Sequence, residues 1–169
     1  MILEQLGVAF EVRPSGAEEV DEGLPAAVAQ ENALRKALAV EGGGTPVLGV
    51  DTLVATELEI WGKPPNRQAA CETISRLQGR EHEVHSGFAV VRDGDVLAAG
   101  GAVTAVTFRA LDDEAIDRYV ETGEWQGRAG GYAIQGRGAA LVREIRGCYL
   151  NVVGLPVQAI LDAWPELLP

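Results

Sequence analysis

The chain has 169 residues, of which 47% are hydrophobic and 23% are charged, and its formal net charge is −11. This length and balance fit one globular domain with a sizeable core, and no apolar stretch approaches the ~20 residues that a transmembrane helix needs. Nucleic-acid-binding surfaces are basic, so the acidic balance argues against nucleic acid as a partner. The acidic balance does not exclude a small phosphate-bearing substrate, provided that a few lysines and arginines and a metal ion supply positive charge at its binding site. No signal peptide is recognisable, and we expect a cytoplasmic protein with no membrane partner.

Apolar periodicity and turn-forming residues predict alternating helices and strands. In chain order they predict the end of a helix at 2–6, a strand at 8–12, an acidic loop at 14–23, a helix at 25–40, a strand at 46–55, a helix at 66–78, strands at 82–92 and 96–109, a helix at 112–123, a Gly-rich loop at 127–138, a strand at 139–145 and a last helix from 156. Asn66 and Asp112 are typical helix caps, and Asp93-Gly94 is a strong hairpin signal. This order predicts an α/β domain in which helices flank a mixed central sheet.

Asp51 stands inside the apolar run 46–55, between VLGV and TLVA. A buried carboxylate is costly unless it is paired with a cation or bound to a metal, so Asp51 is a candidate functional residue. The alternative is that Asp51 ends the strand and caps a turn. To act as a base towards water, Asp51 would need a divalent metal ion that acidifies the water.

The acidic loop crowds four carboxylates together, namely Glu18, Glu19, Asp21 and Glu22. On its own such a run is usually a solvated surface. Together with Asp51, however, Glu19 completes a two-carboxylate magnesium site, since Mg²⁺ is usually held by one or two carboxylates plus substrate phosphates.

Two basic residues of the first long helix differ in their surroundings. Arg35 can pair with Glu31 one turn earlier, which places it on the surface. Lys36 shares a helix face with Ala29, Ala33 and Val40, which turns its side chain inward.

Lys63 lies in a turn between Gly62 and Pro64. The segment is not a Walker A loop, because Glu57 stands where the first glycine belongs and Pro64 follows the lysine. An isolated lysine in a surface turn is the alternative to a role in phosphate binding.

A second dense cluster contains Arg128, Gly130, Gly131, Gln135 and Gly136. Glycines let a backbone approach a ligand closely, and the amide of Gln135 offers a donor and an acceptor side by side, which suits the edge of a pyrimidine ring. A Gly-rich turn between two strands is the equal alternative.

Seven segments, in order, resemble the pattern of the Maf family: LGVAF, VLGVDTLV, WGKP, LQGREHEVHSG, VTFRALDDEAIDRYVETGE, GRAGGYAIQGRGAALV and NVVGLP. The resemblance extends over almost the whole chain. The resemblance implies an inosine-triphosphatase-like α/β fold with two lobes around a cleft. It also implies a metal-dependent nucleoside triphosphate pyrophosphatase that is cytoplasmic and often a homodimer.

The resemblance also assigns roles to single residues. The aspartate of the DT pair, Asp51, is the general base, and Lys36 and Lys63 serve the triphosphate. The loop glutamate is Glu19. Asp51 and Glu19 would hold the divalent metal ion, expected to be Mg²⁺ with Mn²⁺ or Co²⁺ as alternatives, and Glu18 and Glu22 are alternatives to Glu19.

The DT and IQG motifs resemble the branch of the family that acts on dTTP and UTP, which makes Thr52 and Gln135 the specificity positions. Arg128 stands where the family has lysine; it keeps the charge but changes its geometry. Arg128 and Gly136 are expected to contact the substrate. Ser86 replaces the usual threonine.

One departure lies at the start of the chain. Members of the family open with a strand and a Ser-Pro-Arg-Arg loop, and this chain begins about where the residues after those arginines belong, which predicts a single domain over 1–169 without its first strand. The loss of two phosphate-binding arginines would cost roughly 10²–10⁴-fold in rate.

The expected reaction is hydrolysis of dTTP, UTP or modified pyrimidine nucleotides to the monophosphate and pyrophosphate. A catalytically weak nucleotide-binding regulator of septum formation is the alternative from another class. A generic phosphatase, which would release orthophosphate, is the third hypothesis.

Overall fold

The computed structural model describes residues 2–57 and 59–168, which form helices around one five-stranded sheet. The α-helices are α1 (Ile2–Gln5), α2 (Pro25–Leu38), α3 (Arg67–Leu77), α4 (Asp113–Val120), α5 (Tyr149–Val153) and α6 (Val157–Ala163). The strands are β1 (Val47–Ala55), β2 (Ile60–Trp61), β3 (Glu81–Arg92), β4 (Asp95–Phe108) and β5 (Val142–Arg146). Short 3₁₀ helices occupy Ala129–Gly131, Arg137–Leu141 and Pro165–Leu167. The predicted α/β class, with helices flanking a central sheet, is confirmed.

The strand order in the sheet is β2-β1-β3-β4-β5. The β1–β2 and β4–β5 pairs are antiparallel, and the tight turn at Asp93 and Gly94, both with positive φ, makes β3 and β4 an antiparallel hairpin. The end of β1 also shares a compact unit with the start of β3, so these strands run in opposite directions. The expectation of a mixed sheet was therefore wrong. Strand β2, which the sequence pattern did not predict, reverses the chain after β1, so β3 is not reached by a simple crossover.

Helix caps fix the start of two helices as predicted. The side chain of Asn66 accepts a hydrogen bond from the backbone N–H of Ala69 at 2.9 Å, and that of Asp112 accepts one from Ala115 at 2.8 Å. Each side chain satisfies a donor that the first helical turn leaves without a partner.

Two predicted strands differ in the structure. Residues 8–12 form no strand, because the side chains of Phe10 and Val12 are exposed and no described strand pairs with this segment. The strand predicted at 139–145 begins only at Val142, because the residues before it form a 3₁₀ helix.

The chain divides into two compact units. The first contains Met1–Thr52, His85–Ala102 and Gly154–Pro169, and its core is built on Phe88, Val90 and Ile160. The second contains Leu53–Val84 and Val103–Val153. Its larger core has at its centre Ile74, Leu77, Val84, Val106, Phe108, Val120 and Tyr132. A single domain over 1–169 stays a prediction.

Helix α2 lies directly against β1 and β3 in the first unit. A Cβ atom on Gly49 would lie 2.2 Å from the carbonyl oxygen of Ala33, and one on Gly87 would lie 2.4 Å from that of Ala29. Neither separation is sterically allowed, so glycine is required on the strands where the helix backbone approaches them.

Among residues 2–57 and 59–168, no helix combines the length and the apolar character that crossing a membrane requires. The cytoplasmic location stays a prediction.

Candidate active site

Asp51, Lys36 and Glu19 form one ion-pair cluster in the first unit. The ammonium of Lys36 lies 2.5 Å from Oδ1 of Asp51 and 2.7 Å from Oε1 of Glu19. Asp51 is buried in the middle of β1, Lys36 is half-buried on α2, and Glu19 is the most exposed of the three. The structure thus brings together three of the predicted residues, and it excludes the alternative that Asp51 ends a strand and caps a turn.

The surroundings of Lys36 favour its charged form. Burial alone lowers the pKa of Lys36, but the hydrogen bonds and negative charges of Asp51 and Glu19 outweigh this effect, so its pKa is raised above the usual range. One ammonium between two carboxylates leaves the cluster with a net negative charge, which favours a further cation and opposes a bare triphosphate. The neighbouring Arg35 is instead exposed and pairs with Glu31 at 2.7 Å, as predicted.

Asn32 is a residue of this cluster that the sequence analysis missed. It is buried on α2, one turn before Lys36, and its Nδ2 donates to Oδ2 of Asp51 at 3.2 Å. Its amide also exchanges two hydrogen bonds with the backbone of Val20, next to Glu19. The signal that could have found it is a strongly polar side chain on the helix face that carries Val28.

Thr52, the residue after Asp51, has its hydroxyl within 2.7 Å of the Ser86 hydroxyl. Ser86 is buried on β3, so this hydrogen bond fixes the rotamer of Thr52. The specificity role assigned to Thr52 stays a prediction, and Ser86 is the group that orients it.

Lys63 lies in the second unit, in the loop that follows β2. It is exposed, and it makes no ion pair with any described residue. The carbonyl of Gly62 accepts a hydrogen bond from the N–H of Gly130 at 3.1 Å, which ties the Lys63 loop to the glycine turn that follows Arg128. Arg128 is exposed as well, so the structure brings two basic segments side by side.

The loop of Gln135 and Gly136 is held by Glu124. The carboxylate of Glu124 accepts hydrogen bonds from the backbone N–H groups of Arg137 at 2.9 Å and Gly138 at 3.1 Å. A Cβ atom on Gly136 would lie 2.7 Å from this carboxylate, so a larger residue there would have to displace the side chain of Glu124. Gln135 is exposed beside this anchored turn. Glu124 is a second residue that the sequence analysis missed, because nothing in its own segment points to a contact with Arg137 and Gly138, which lie 13 and 14 residues further along the chain.

The donor set fits a magnesium ion in composition. Within residues 2–57 and 59–168 no group of three or more His, Cys, Asp or Glu side chains is placed to hold a metal. Asp51 and Glu19 supply two carboxylates that already converge on one cation, the ammonium of Lys36. Mg²⁺ is usually bound by one or two carboxylates, and phosphate and water oxygens are its remaining ligands, so this pair of carboxylates fits it. A metal ion that needs protein ligands at every position does not fit.

Known proteins similar to this chain point to one enzyme class. A relative from Pelotomaculum thermopropionicum is 40% identical over 166 residues, which are 95% of this chain and 87% of the relative. One from Moorella thermoacetica is 46% identical over 167 residues, covering 94% of this chain and 84% of the relative. One from Thermococcus gammatolerans is 44% identical over 153 residues, or 89% and 82% of the two chains. Each of the three carries the name dTTP/UTP pyrophosphatase.

The family model described as "Maf-like protein" matches residues 1–166. This match spans nearly the whole chain and agrees with the resemblance seen in the seven motifs. The chain belongs to the Maf family.

Proposed function

We propose that this protein hydrolyses dTTP and UTP to the nucleoside monophosphate and pyrophosphate. The observation that carries the proposal is the buried Asp51, held between Lys36 and Asn32, in a chain whose relatives are named dTTP/UTP pyrophosphatases at 40–46% identity. Those names favour a hydrolase over the non-catalytic regulator of septum formation.

In the proposed reaction, water attacks the α-phosphorus of the nucleotide and the bond to the α–β bridging oxygen breaks. Asp51 accepts the proton that the water gives up, and pyrophosphate leaves with the bridging oxygen. The hydrogen bonds from Lys36 and Asn32 hold the two oxygens of Asp51 in place, which is the positioning that general base catalysis requires.

Asp51 and Glu19 are the residues that would hold a divalent ion, which we propose to be Mg²⁺. When bound, such an ion supplies positive charge at the phosphates and lowers the pKa of water. A cluster that carries net negative charge would otherwise repel a triphosphate, so an ion fits the electrostatics of these side chains.

The exposed cations of the second unit are proposed to bind phosphate oxygens. Lys63 and Arg128 have no carboxylate partner among the described residues, which leaves their charges available. Such contacts stabilise the charge that develops on the leaving pyrophosphate. Thr52 and Gln135 are proposed to select the base, while a homodimer stays a prediction.

Replacement of Asp51 by asparagine tests the proposal, because asparagine keeps the shape but cannot accept the proton. We expect pyrophosphate release from dTTP and UTP to fall by at least about 10²-fold, with CTP and GTP as comparison substrates. Asp162→Asn, which neutralises an exposed carboxylate on α6, is the matched control and should turn over like the parent.

Three results would contradict the proposal in different ways. Full turnover by Asp51→Asn would remove Asp51 as the base. Release of orthophosphate would indicate a phosphatase. Nucleotide binding by the parent without any release would support the regulator.

A further inference from the structure

The side chain of Asn32 uses its whole donor capacity inside the protein. Nδ2 donates one hydrogen bond to the carbonyl of Val20 at 2.9 Å and one to Oδ2 of Asp51 at 3.2 Å. Oδ1 accepts one from the N–H of Val20 at 2.7 Å. Only 3% of the residue is exposed, so no N–H of Asn32 remains for a substrate.

The hydrogen bonds to Val20 resemble the pairing of two β-strands. A carboxamide carries an acceptor and a donor side by side, as a peptide group does, and Asn32 uses both on a single residue of the loop. The loop around Val20 has no helix or strand of its own. Its backbone groups therefore depend on such side-chain partners for their position.

The same amide also orients the carboxylate of Asp51. Asn32 and Lys36 are four residues apart on α2 and therefore lie on one helix face. Asn32 donates to Oδ2 and Lys36 to Oδ1, so the two oxygens are held from one side by different groups. Val20 follows Glu19, which means that Asn32 also sets where the second carboxylate of the cluster lies.

We propose that Asn32 is a positioning residue for hydrolysis: it fixes the acidic loop and the carboxylate of Asp51 as one unit. This inference rests on the proposed function of Asp51. Asn32 acts through Asp51 and through the loop, and it does not touch the substrate. Its removal therefore lowers kcat and leaves the KM for dTTP nearly unchanged.

Two variants separate the contacts of Asn32. Asn32→Ala removes all three hydrogen bonds. Asn32→Asp keeps the size and the acceptor for the N–H of Val20, but it loses both donors and brings a second carboxylate towards Asp51. We expect kcat to fall by about 10- to 100-fold in each, as a small displacement of a catalytic group does, with KM within about threefold of the parent. If Asn32→Ala does not fold, the isosteric Asn32→Asp carries the test.

A double-mutant cycle with Asp51→Asn shows whether Asn32 acts through Asp51. If it does, Asn32→Ala causes no further loss of kcat once Asp51 has been replaced, because the group it positions is already gone. If Asn32 only stabilises the fold, the two losses multiply. Asn66→Ala is the control: it removes another side chain that fixes backbone, the cap of α3, and should leave kcat unchanged.

Hydrogen exchange at the amide of Val20 gives a readout that does not involve turnover. We expect faster exchange in Asn32→Ala than in the parent and in Asn66→Ala, because the acceptor of that N–H is lost. Parent-like kcat in Asn32→Ala, losses that multiply in the cycle, or unchanged exchange at Val20 would each overturn the inference. Parent-like turnover by Asp51→Asn would instead remove Asp51 as the base, and a parent that releases no pyrophosphate would overturn the proposed function, so these failures are distinguishable from a failure of the inference.

Discussion

Replacement of Lys36 by methionine removes the ammonium that bridges Asp51 and Glu19 but keeps most of the apolar stem. Two oxygens that both contact one nitrogen, at 2.5 and 2.7 Å, lie at most about 5 Å apart. At that separation and an effective dielectric of 20, two unit negative charges repel by about 3 kcal/mol. Glu19 is nearly half exposed and can turn towards solvent. We therefore expect a smaller loss, about 1–2 kcal/mol, in the free energy of unfolding.

The effect on activity should be larger than the effect on stability. Lys36→Met removes a charge-assisted hydrogen bond to the proposed base Asp51, and such a bond is worth ~1.5–3 kcal/mol. The expected decrease in kcat/KM for dTTP is thus about 10- to 100-fold. Lys36→Arg restores the charge but not the geometry, because a planar guanidinium replaces a compact ammonium. We expect it to recover only part of the activity.

Arg35→Met is the matched control for this prediction. Arg35 is the adjacent residue on α2 and also forms an ion pair, with Glu31 at 2.7 Å, but both partners are exposed. Its loss should cost at most about 0.5 kcal/mol and leave turnover unchanged. Pyrophosphate release and urea unfolding measure the two quantities. If Lys36→Met folds and turns over like Arg35→Met, the electrostatic reasoning about the cluster is refuted.

Two further predictions concern the second unit. Burial lowers the pKa of His82 to about 4, whereas an unfolded histidine titrates near ~6.5. Between these values only the unfolded chain binds the proton, so the free energy of unfolding should fall by up to about 3 kcal/mol as the pH drops from 6.5 to 4. Urea titrations should show a shallower decrease in His82→Phe, and equal slopes would contradict the assignment. Glu124→Gln loses one of the two acceptors for the N–H groups of Arg137 and Gly138. We expect a loss of about 1–2 kcal/mol in the free energy of unfolding and a lower kcat/KM for dTTP. An unchanged kcat/KM would show that the loop of Gln135 and Gly136 does not contribute to catalysis.

The ion-pair cluster was partly predictable because burial and periodicity are local properties. Asp51 inside an apolar run had to have a partner, and helical spacing turned Lys36 inward while leaving Arg35 on the surface. The structure joins these expectations in one hydrogen-bonded group. Caps at Asn66 and Asp112 also follow from residues close in sequence, which is why the starts of α3 and α4 agree with the prediction.

The parts that could not be predicted depend on distant segments meeting. Asn32 is an ordinary interior helix residue until the loop at Val20 is placed beside it, and the path of that loop is set by no local pattern. Glu124 acts on Arg137 in the same way. The direction of β3 relative to β1 was predicted wrongly for a related reason. Strand β2, which reverses the chain, is only two residues long and leaves no periodic signal in the sequence.

The glycines at positions 49 and 87 have a consequence for how the protein tolerates change. They let the backbone of α2 rest on the backbones of β1 and β3 with no side chain between. A contact of this kind has no rotamers through which it can adjust. The separation of the α2 backbone, which carries Asn32, from the β1 backbone, which carries Asp51, is therefore set by direct main-chain contact. A single methyl group at Gly49 would push α2 away from β1. Asn32 and Lys36 would then be displaced from Asp51, although none of these three residues had been changed.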